Sequence, residues 1–264
     1  MHRFFVENII NAEKSLTISG QDVNHIVNVL RLGVNDDITV SDGSSRDYEC
    51  RICSIDMENQ TIIADIIDIY DNNSELPVNI YLFQGYPKGD KFELIVQKCV
   101  ELGVHAIVPV MMDRTIVKLE DKKKSKKLQR LNSISEAAAK QSRRGIIPEV
   151  MDVMTMKEAV SFAGKQMDYI VFPYELAEGM EESRRMVYEI VDKILQDNNP
   201  SKDEIISKNI GIFIGPEGGF SDSEAASLKE IGAYTISLGH RILRTETAGM
   251  SIMSILAFLL DEDK

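Results

Sequence analysis

The sequence predicts an α/β protein with a β-rich first part and a second part in which a mainly parallel sheet is covered by helices. Three observations support this fold class. Short runs rich in β-branched residues fill residues 1–75, strands and amphipathic helices alternate from Val78 onward, and two apolar runs near the C-terminus each end in a glycine-rich turn. Alternating β and α segments with short connections are typical of a parallel sheet. The 264 residues, 44% of them hydrophobic, suffice for one large or two modest domains.

Four segments of the first part have the composition of strands, and turn-forming residues separate them. They are Leu16–Ser19, Asp37–Ser41, Asp47–Cys53 and Gln60–Ile67. One helix, from about Asp22 to Leu30, is predicted between them. This pattern predicts a small β-barrel. The polar stretch Tyr70–Pro77, which ends in proline, is the predicted linker to the second part.

The second part begins with a predicted strand at Val78–Phe83 and an amphipathic helix that Gly103 closes. Apolar residues recur in this helix at the spacing of one buried face, at Phe92, Ile95, Val96 and Cys99. The elements predicted after it are a strand at Val104–Val110, a helix at Ser125–Arg143, and strands at Asp168–Phe172, Gly211–Ile214 and Ala233–Leu238.

Two features mark helices near the C-terminus. Ser221 and Glu224 have the spacing of a capping box, in which each side chain satisfies a backbone group of the first turn. The last predicted helix, Thr245–Leu260, is apolar on most sides. Such a helix is expected to be buried, either in the core or against another subunit.

Charge is unevenly distributed along the chain. The formal net charge is −12, which argues against indiscriminate nucleic-acid binding. Residues 76–150 nevertheless carry fourteen Lys and Arg against eight Asp and Glu. The basic residues concentrated there, called the basic band below, are Arg114, Lys118, Lys122–Lys124, Lys126, Lys127, Arg130, Lys140, Arg143 and Arg144. The band predicts one defined polyanionic partner, and a solvated lysine-rich helix face is the alternative.

Metal and membrane chemistry are not predicted. Cys50 and Cys53 form a lone Cys-x-x-Cys pair with no second pair of ligands at zinc-site spacing, so we expect no metal. The longest apolar run, Met250–Leu260, is about half the ~20 residues of a membrane span. The N-terminal residues lack the layout of a signal peptide, and a cytoplasmic protein without membrane contact is expected.

The two glycine-rich turns are the most informative segments. Their spacing predicts two backbone loops side by side at the C-terminal edge of the sheet, where open α/β folds bind ligands. The first turn, Gly215–Gly219, is neither a P-loop nor a dinucleotide fingerprint. Glu217 within it would repel a pyrophosphate, whereas a nucleoside that carries a cation, such as S-adenosylmethionine, is compatible with it. Alternatively, the glycines meet only backbone constraints.

The residues around these turns resemble a known family. Ile214–Ser221 and Leu238–Ala248 resemble the two C-terminal motifs of the SPOUT-class RNA methyltransferases, and more narrowly those of the RsmE family, which methylates N3 of a uridine in 16S ribosomal RNA. The likeness covers nearly the whole chain. Its further segments are Met1–Val6, His25–Gly33, Lys98–Val104 and Glu136–Arg144. Lys140 and Arg144 stand where members of the family vary.

The resemblance implies both an architecture and partners. A PUA-like RNA-binding β-barrel would occupy residues 1–74, and a SPOUT α/β domain with a trefoil knot would occupy residues 75–264. It also implies a homodimer with the site at the subunit boundary, S-adenosylmethionine as the methyl donor, and small-subunit ribosomal RNA or the assembled 30S subunit as the substrate.

Methylation of uracil N3 requires removal of a proton or stabilisation of the resulting anion. Arg143 and Arg244 are the candidates for stabilising the anion, because a guanidinium stays charged and donates two hydrogen bonds. Glu246 is a candidate proton acceptor, or it orients Arg244. Gln141 is a candidate to hydrogen-bond a base extruded from its stack. Phosphate contacts, surface ion pairs and a first-turn glutamate favoured by the helix dipole are the alternatives.

The remaining candidates fall into two sets. Those for donor binding, mostly through backbone groups, are Leu82, Phe83, Gly215, Glu217, Gly218, Leu238, Gly239, Ile242 and Leu243. Those for RNA phosphates are Arg3, Arg31, Lys126, Arg130 and Arg144. Three alternative functions stay open. They are a SPOUT enzyme acting on another RNA position or a ribose 2′-hydroxyl, a non-catalytic RNA-binding factor, and a phosphate-binding nucleotide enzyme.

Overall fold

The structure is a computed structural model that describes residues 2–6, 9, 14–44, 46–117, 121–174, 177, 179–197 and 207–261, without the side chains of 121–123. The chain folds into two compact units. The first unit comprises Met1–Glu75 and Ala139–Ile147, and the second comprises Leu76–Ala138 and Pro148–Lys264. Lys140, Arg143 and Arg144 of the basic band therefore belong to the first unit.

The first unit is built on a five-stranded mixed sheet. Its strands are β1 (His2–Phe5), β2 (Ser15–Ser19), β3 (Asp37–Ser41), β4 (Arg46–Asp56) and β5 (Thr61–Asp71). The order is β1-β3-β4-β5-β2, with β1 parallel to β3 and the other pairs antiparallel. The four strands predicted from sequence are confirmed, and β1 was not predicted.

A short helix packs with this sheet. Helix α1 (Gln21–Asn24) continues into a π-helical turn at His25–Val29, so the predicted helix is confirmed with an irregular second half. Val23 and Ile26 from this segment are fully buried among the side chains of the sheet. Cys50 lies in the same core, where burial raises the pKa of its thiol to about 12, whereas Cys53 is exposed.

Residues 70–75 of the segment predicted as a linker belong to the first unit, and Leu76 and Pro77 belong to the second. Tyr70 and Asp71 belong to β5. Beyond them, Asn72 Nδ2 donates a 2.8 Å hydrogen bond to Asp47, and Glu75 accepts one of 2.8 Å from Arg144 Nε. Polar composition was the basis of the prediction, and it did not reveal that these side chains bind other parts of the same unit.

The second unit contains an entirely parallel sheet, which confirms the predicted fold class. Its strands are β6 (Val78–Gly85), β7 (Ala106–Met111), β8 (Glu149–Val150), β9 (Met154–Thr155), β10 (Tyr169–Pro173), β11 (Lys208–Ile214) and β12 (Tyr234–Ile236). The order is β12-β10-β11-β6-β7-β8, and β9 also pairs with β7. The central strands β6 and β11 are almost continuously buried, as expected when helices cover both faces of a sheet.

Six helices of the second unit lie within the described residues. They are α2 (Lys91–Glu101), α3 (Asp121–Ser142), α4 (Met156–Gln166), α5 (Met180–Asp197), α6 (Asp222–Glu230) and α7 (Thr245–Leu260). Helices α2, α3 and α7 confirm predictions, and α6 begins with the predicted capping box of Ser221 and Glu224. Helices α4 and α5 were not predicted, although Thr155 and Glu158 form a capping box of the same type at the start of α4.

The final helix is only partly buried within one copy of the chain. Ile252, Met253 and Leu256 lie in the core, whereas Phe258 is 85% exposed and Ile255 is also exposed. Among the helices that the structure describes, none is long and apolar enough to cross a membrane.

Candidate functional site

The carboxyl ends of β6 and β11 approach each other very closely. A Cβ atom added at Gly85, the last residue of β6, would lie 2.5 Å from the backbone nitrogen of Pro216 and 2.9 Å from the carbonyl carbon of Gly215. Glycine is therefore required at this position, because any larger residue would displace the backbone opposite it. The segment Gly215–Phe220, called the glycine loop below, thus lies directly against the end of β6.

The glycine loop folds back on itself in a tight turn. Gly219 adopts a φ of 68°, a left-handed conformation that favours glycine, and its N–H donates a 2.9 Å hydrogen bond to the carbonyl of Pro216. The loop then enters α6 through the Ser221 cap. The sequence therefore builds a backbone turn at the edge of the sheet and fixes both of its ends.

The segment after β7 supports the same loop. Arg114 donates a 2.8 Å hydrogen bond from its guanidinium to the carbonyl of Gly218, and a Cβ atom at Gly218 would lie 2.9 Å from Arg114 Cβ. The neighbouring Asp113 N–H donates a 2.8 Å hydrogen bond to Glu224 Oε1. Gly218 is thus required for close packing against Arg114, whatever the loop binds.

A buried polar relay joins the glycine loop to the last helix. Gln84 Nε2 donates a 2.8 Å hydrogen bond to Thr245 Oγ1, and that hydroxyl donates one of 2.6 Å to the carbonyl of Gly215. Gln84 is fully buried, and its Oε1 has no hydrogen-bond partner among the described residues. Buried polar side chains are normally fully paired. This network therefore contains one buried acceptor, Gln84 Oε1, to which no described residue donates a hydrogen bond.

A second polar cluster joins the same loop to α7. Lys91 Nζ, at the start of α2, lies 3.2 Å from Glu217 Oε1 and 3.3 Å from Glu246 Oε2. The backbone N–H of Lys88 donates a 3.1 Å hydrogen bond to Glu217. We call Lys91, Glu217 and Glu246 the charge cluster.

The environment of the charge cluster shifts two pKa values in opposite directions. Partial burial would raise the pKa of Glu217, but hydrogen bonds from its own N–H and that of Lys88, together with Lys91, hold it below its ordinary value. The contact with Glu217, and then the ion pair with Glu246, raises the pKa of Lys91. Both groups therefore stay charged at neutral pH.

The second loop, residues 237–244, follows β12 and leads into α7. Gly239 has a φ of 110°, a conformation that other residues rarely adopt, and its N–H donates a 3.2 Å hydrogen bond to Ser237 Oγ. Ile242 is 91% exposed, Leu238 and Leu243 are half-buried, and Arg244 is exposed at the helix N-cap.

The two loops follow strands that are separated in the sheet. Strand β10 lies between β11 and β12, so the strands that lead into the loops are not neighbours. The connection is made instead by α7, whose first residue, Thr245, bonds to Gly215. The spacing of the motifs along the chain carries no information on strand order, so the position of β10 between these strands was not indicated by the sequence.

The predicted donor-binding residues of β6 have their side chains in the hydrophobic core. Leu82 and Phe83 are both fully buried, and the ring of Phe83 stacks on that of Phe213 with their centroids 4.3 Å apart. Any contribution of Phe83 to a ligand site in this conformation is made by its backbone, because its ring belongs to the core.

Two predicted catalytic residues, Gln141 and Arg143, belong to the first unit, and both are exposed. Arg143 follows α3 and adopts a left-handed φ of 60°. Its carbonyl accepts hydrogen bonds from Ser74 Oγ at 3.0 Å and Asn72 Nδ2 at 3.3 Å. The segment that follows β5 therefore holds the backbone of Arg143 in this unusual conformation.

Arg3 and Arg144 were predicted to bind phosphates, and in the structure the charge of each is engaged by a carboxylate of the first unit. The side chain of Arg144 is 3% exposed and forms a two-pronged ion pair with Glu75. The side chain of Arg3 is 7% exposed, pairs with the buried Asp47, and donates a 2.6 Å hydrogen bond to the carbonyl of Arg144. These arginines connect parts of the first unit and do not present their charge to solvent.

The other predicted phosphate ligands are accessible. Arg31 and Lys126 are exposed, and Arg130 is exposed while it pairs with Glu93 at 2.6 Å. Elsewhere in the basic band, Lys140 pairs with Asp22 at 2.8 Å. Lys118 and the side chains of Lys122 and Lys123 lie outside the described residues.

Sequence reasoning missed three residues of the site, namely Gln84, Lys91 and Arg114. Gln84 directly follows a predicted strand and precedes a glycine, and this position at the carboxyl edge of the sheet was the available signal. Arg114 was noted only as a member of the basic band, and Lys91 gave no signal of its own, because their contacts depend on which strands lie side by side.

Comparison with known proteins agrees with this architecture. The family model described as an RNA methyltransferase domain matches residues 74–257, and the one described as an RNA methyltransferase PUA domain matches residues 18–60. The first of these matches covers more than half of the chain and places it in the class of RNA methyltransferases.

Sequence relatives identify the family within this class. The chain is 34% identical over 261 residues to Ribosomal RNA small subunit methyltransferase E of Bacillus subtilis (strain 168), covering 98% of this chain and 96% of the relative. The chain therefore belongs to the Ribosomal RNA small subunit methyltransferase E family.

Two solved structures are also similar. Ribosomal RNA small subunit methyltransferase E from Neisseria gonorrhoeae, bound to S-adenosyl methionine, is 27% identical with a TM-score of 0.77 over 98% of both chains. A structure from Legionella pneumophila in complex with the bound cofactor SAM is 26% identical with a TM-score of 0.78 over 96% of both chains.

Proposed function

We propose that this protein transfers a methyl group from S-adenosylmethionine to N3 of a uridine in small-subunit ribosomal RNA. The observation that carries the proposal is the junction of the glycine loop with the first turn of α7. Thr245 and the charge cluster bring the predicted donor-binding loop and the predicted catalytic Glu246 into one connected arrangement. Membership of the family supports the RNA substrate.

The residues present fit S-adenosylmethionine better than a phosphate. Within the described residues, the two cations whose side chains contact the glycine loop are Lys91, held by two carboxylates, and Arg114, bonded to the carbonyl of Gly218. The loop therefore offers carbonyls and a carboxylate, which suit a cationic nucleoside. S-adenosylmethionine supplies an electrophilic methyl group when it is bound.

Backbone groups of both loops would hold the donor. Gly215, Gly218, Leu238 and Gly239 are the proposed contacts. The space around the Cβ position of Gly239 is open to 4 Å, so its backbone is accessible. Half-buried Leu238 and Leu243, with exposed Ile242, supply apolar surface in the same loop.

The acceptor side requires a proton to leave uracil N3. In our proposal Glu246 accepts that proton or orients Arg244, and Arg244 donates hydrogen bonds to the oxygens that gain negative charge. Gln141 and Arg143 are proposed to bind the extruded base. Arg31, Lys126 and Arg130 are proposed to bind phosphates. Their exposed side chains support this proposal.

We further propose that the protein acts as a homodimer with the predicted trefoil knot around the donor site. Ile255 and Phe258 are 42% and 85% exposed on one face of α7, and this apolar surface is the observation that supports an interface with a second copy. Equilibrium sedimentation of the wild type and of Phe258→Asp tests the dimer. A monomeric wild type would contradict it.

Nucleoside analysis of 16S RNA from a strain that lacks the protein tests the reaction. The proposal requires loss of 3-methyluridine and its return when the gene is restored, with other modified nucleosides unchanged. Loss of a 2′-O-methylated nucleoside would instead establish the ribose hydroxyl as the acceptor. An unchanged nucleoside profile would favour a non-catalytic RNA-binding factor.

A further inference from the structure

The charge cluster connects three segments that are distant in sequence. Lys91 begins α2, Glu217 lies in the glycine loop, and Glu246 lies in the first turn of α7. The side chains of Lys91 and Glu217 are each 29% exposed, and that of Glu246 is 15% exposed. The electrostatic attraction within such a partly buried ion pair is stronger than in bulk solvent, because water screens it less.

The two carboxylates depend on Lys91 to different degrees. Glu217 also accepts a hydrogen bond from the backbone N–H of Lys88, so it keeps a partner if Lys91 is removed. Glu246 Oε2 is buried and has no hydrogen bond of good geometry, and among the described residues Lys91 is the cation that pairs with it. Loss of Lys91 would therefore leave Glu246 with a buried and uncompensated oxygen.

We infer that Lys91 is a positioning residue for methyl transfer, which fixes the Glu246 carboxylate at the start of α7 and ties it to the glycine loop. This inference rests on the proposed function and adds a residue to it. The role of Lys91 is to act through Glu246, and Lys91 itself contacts neither the base nor the transferred methyl group.

This arrangement predicts that loss of Lys91 lowers turnover but leaves donor affinity nearly unchanged. Because Glu217 retains its bond to Lys88, the glycine loop keeps its conformation without Lys91 and donor affinity changes little. Because Glu246 loses its partner, the step that depends on that carboxylate slows. A purely structural role would instead lower donor affinity and turnover together.

The test compares Lys91→Met with Lys98→Met in the full-length protein. Lys98 is a matched control, since it lies on the same helix and pairs with a carboxylate, Glu101, at 2.8 Å. For Lys91→Met we expect kcat to fall about tenfold, with the donor dissociation constant from calorimetry within about threefold of wild type. Lys98→Met should match wild type in both, and Lys91→Arg should restore most of the turnover because arginine also pairs with two carboxylates.

A double-mutant cycle on the apo protein gives a readout that does not depend on activity. Lys91→Met and Glu246→Gln, measured alone and together by chemical denaturation, should be non-additive if the two side chains interact. Should Lys91→Met fail to fold, the cycle is run with Lys91→Gln.

The outcomes separate the inference from the proposed function. A wild-type protein that binds no S-adenosylmethionine would overturn the proposed function itself. An active wild type with an unchanged kcat in Lys91→Met, or with additive effects in the cycle, would overturn only the role of Lys91. A fall in donor affinity as large as the fall in kcat would also overturn it.

Discussion

Thr245 Oγ1 donates a 2.6 Å hydrogen bond to the carbonyl oxygen of Gly215, and this contact joins the first residue of the last helix to the first residue of the glycine loop. The same hydroxyl accepts a hydrogen bond from the fully buried Gln84. One side chain therefore fixes the relative positions of the end of β6, the glycine loop and α7.

Thr245→Val should destabilise the protein and weaken donor binding. Valine keeps the shape of threonine but removes both hydrogen bonds of a residue that is 5% exposed, at a cost of about 1–3 kcal/mol in the free energy of unfolding. Chemical denaturation and calorimetry with S-adenosylmethionine measure the two effects. The control is Thr247→Val, which changes an exposed threonine of the same helix and should leave both quantities unaltered. Equal behaviour of the two variants would show that the relay is unimportant.

Gly85→Ala should disrupt the glycine loop. The added methyl group would lie 2.5 Å from the backbone of Pro216, which has no flexible side chain that can move away. We expect a loss of about 2 kcal/mol or more in stability, as in overpacked sites, and loss of measurable donor binding. Gly33→Ala is the control, because no atom lies within 4 Å of its Cβ position. Normal donor binding by Gly85→Ala would contradict the close approach of the two segments.

Glu217 should make stability dependent on pH in the acidic range. Its pKa is lowered in the folded protein, so its contribution is fully present above its unfolded pKa of about 4.3 and is lost as the pH falls through the folded value. The side chain is partly exposed, and the contribution should not exceed about 1 kcal/mol. Unfolding free energies of the wild type and Glu217→Gln should therefore differ at pH 7 and converge below pH 4. A difference that persists at low pH would contradict this assignment.

Arg143→Gly should separate stability from activity. Arg143 adopts a φ of 60°, where a non-glycine residue is strained by roughly 1 kcal/mol, so glycine should leave stability unchanged or raise it slightly. If the guanidinium binds the substrate base, turnover should nevertheless fall at least tenfold. Gln60→Gly, at another left-handed position of the first unit, is the control for the backbone effect and should keep full turnover. Full activity of Arg143→Gly would remove this arginine from the mechanism.

Lys126→Glu should weaken RNA binding and lower its salt dependence. Lys126 is exposed on α3, and one lost phosphate contact should reduce the slope of log K against log salt by about 1. Lys165→Glu, which reverses an exposed charge on α4, is the control. Filter binding to 16S RNA at several salt concentrations measures both. Identical slopes for the two variants would mean that this part of the basic band is only a solvated surface.

Local patterns predicted many elements of the fold but not their arrangement. The spacing of Phe92, Ile95, Val96 and Cys99 predicted α2, and the apolar composition of residues 245–260 predicted α7 with its exact bounds. Strand order depends on contacts between distant segments, so the insertion of β10 between β11 and β12 was not predictable from the motifs. Arg144 shows the same limitation for a single side chain, since the carboxylate that pairs with it belongs to Glu75, which is distant in sequence.

The candidate site was likewise predictable from local patterns but not in its contacts between distant segments. The glycine loop and the start of α7 could be identified because their residue types and spacing are specific. The residues that connect them, Gln84 and Lys91, are ordinary in sequence and gain a role only through the parallel pairing of β6 with β11. The left-handed conformation of Arg143 likewise depends on bonds from Asn72 and Ser74, about seventy residues earlier in the chain.

The most direct measurement is methyl transfer by the purified protein. Labelled S-adenosylmethionine is incubated with the protein and with 30S subunits or 16S RNA from a strain that lacks it, and the RNA is digested and analysed by mass spectrometry. The account predicts label in 3-methyluridine at a single site, and none when Arg244→Ala replaces the wild type. Label in a different nucleoside, or no transfer by a protein that is folded and dimeric, would contradict it.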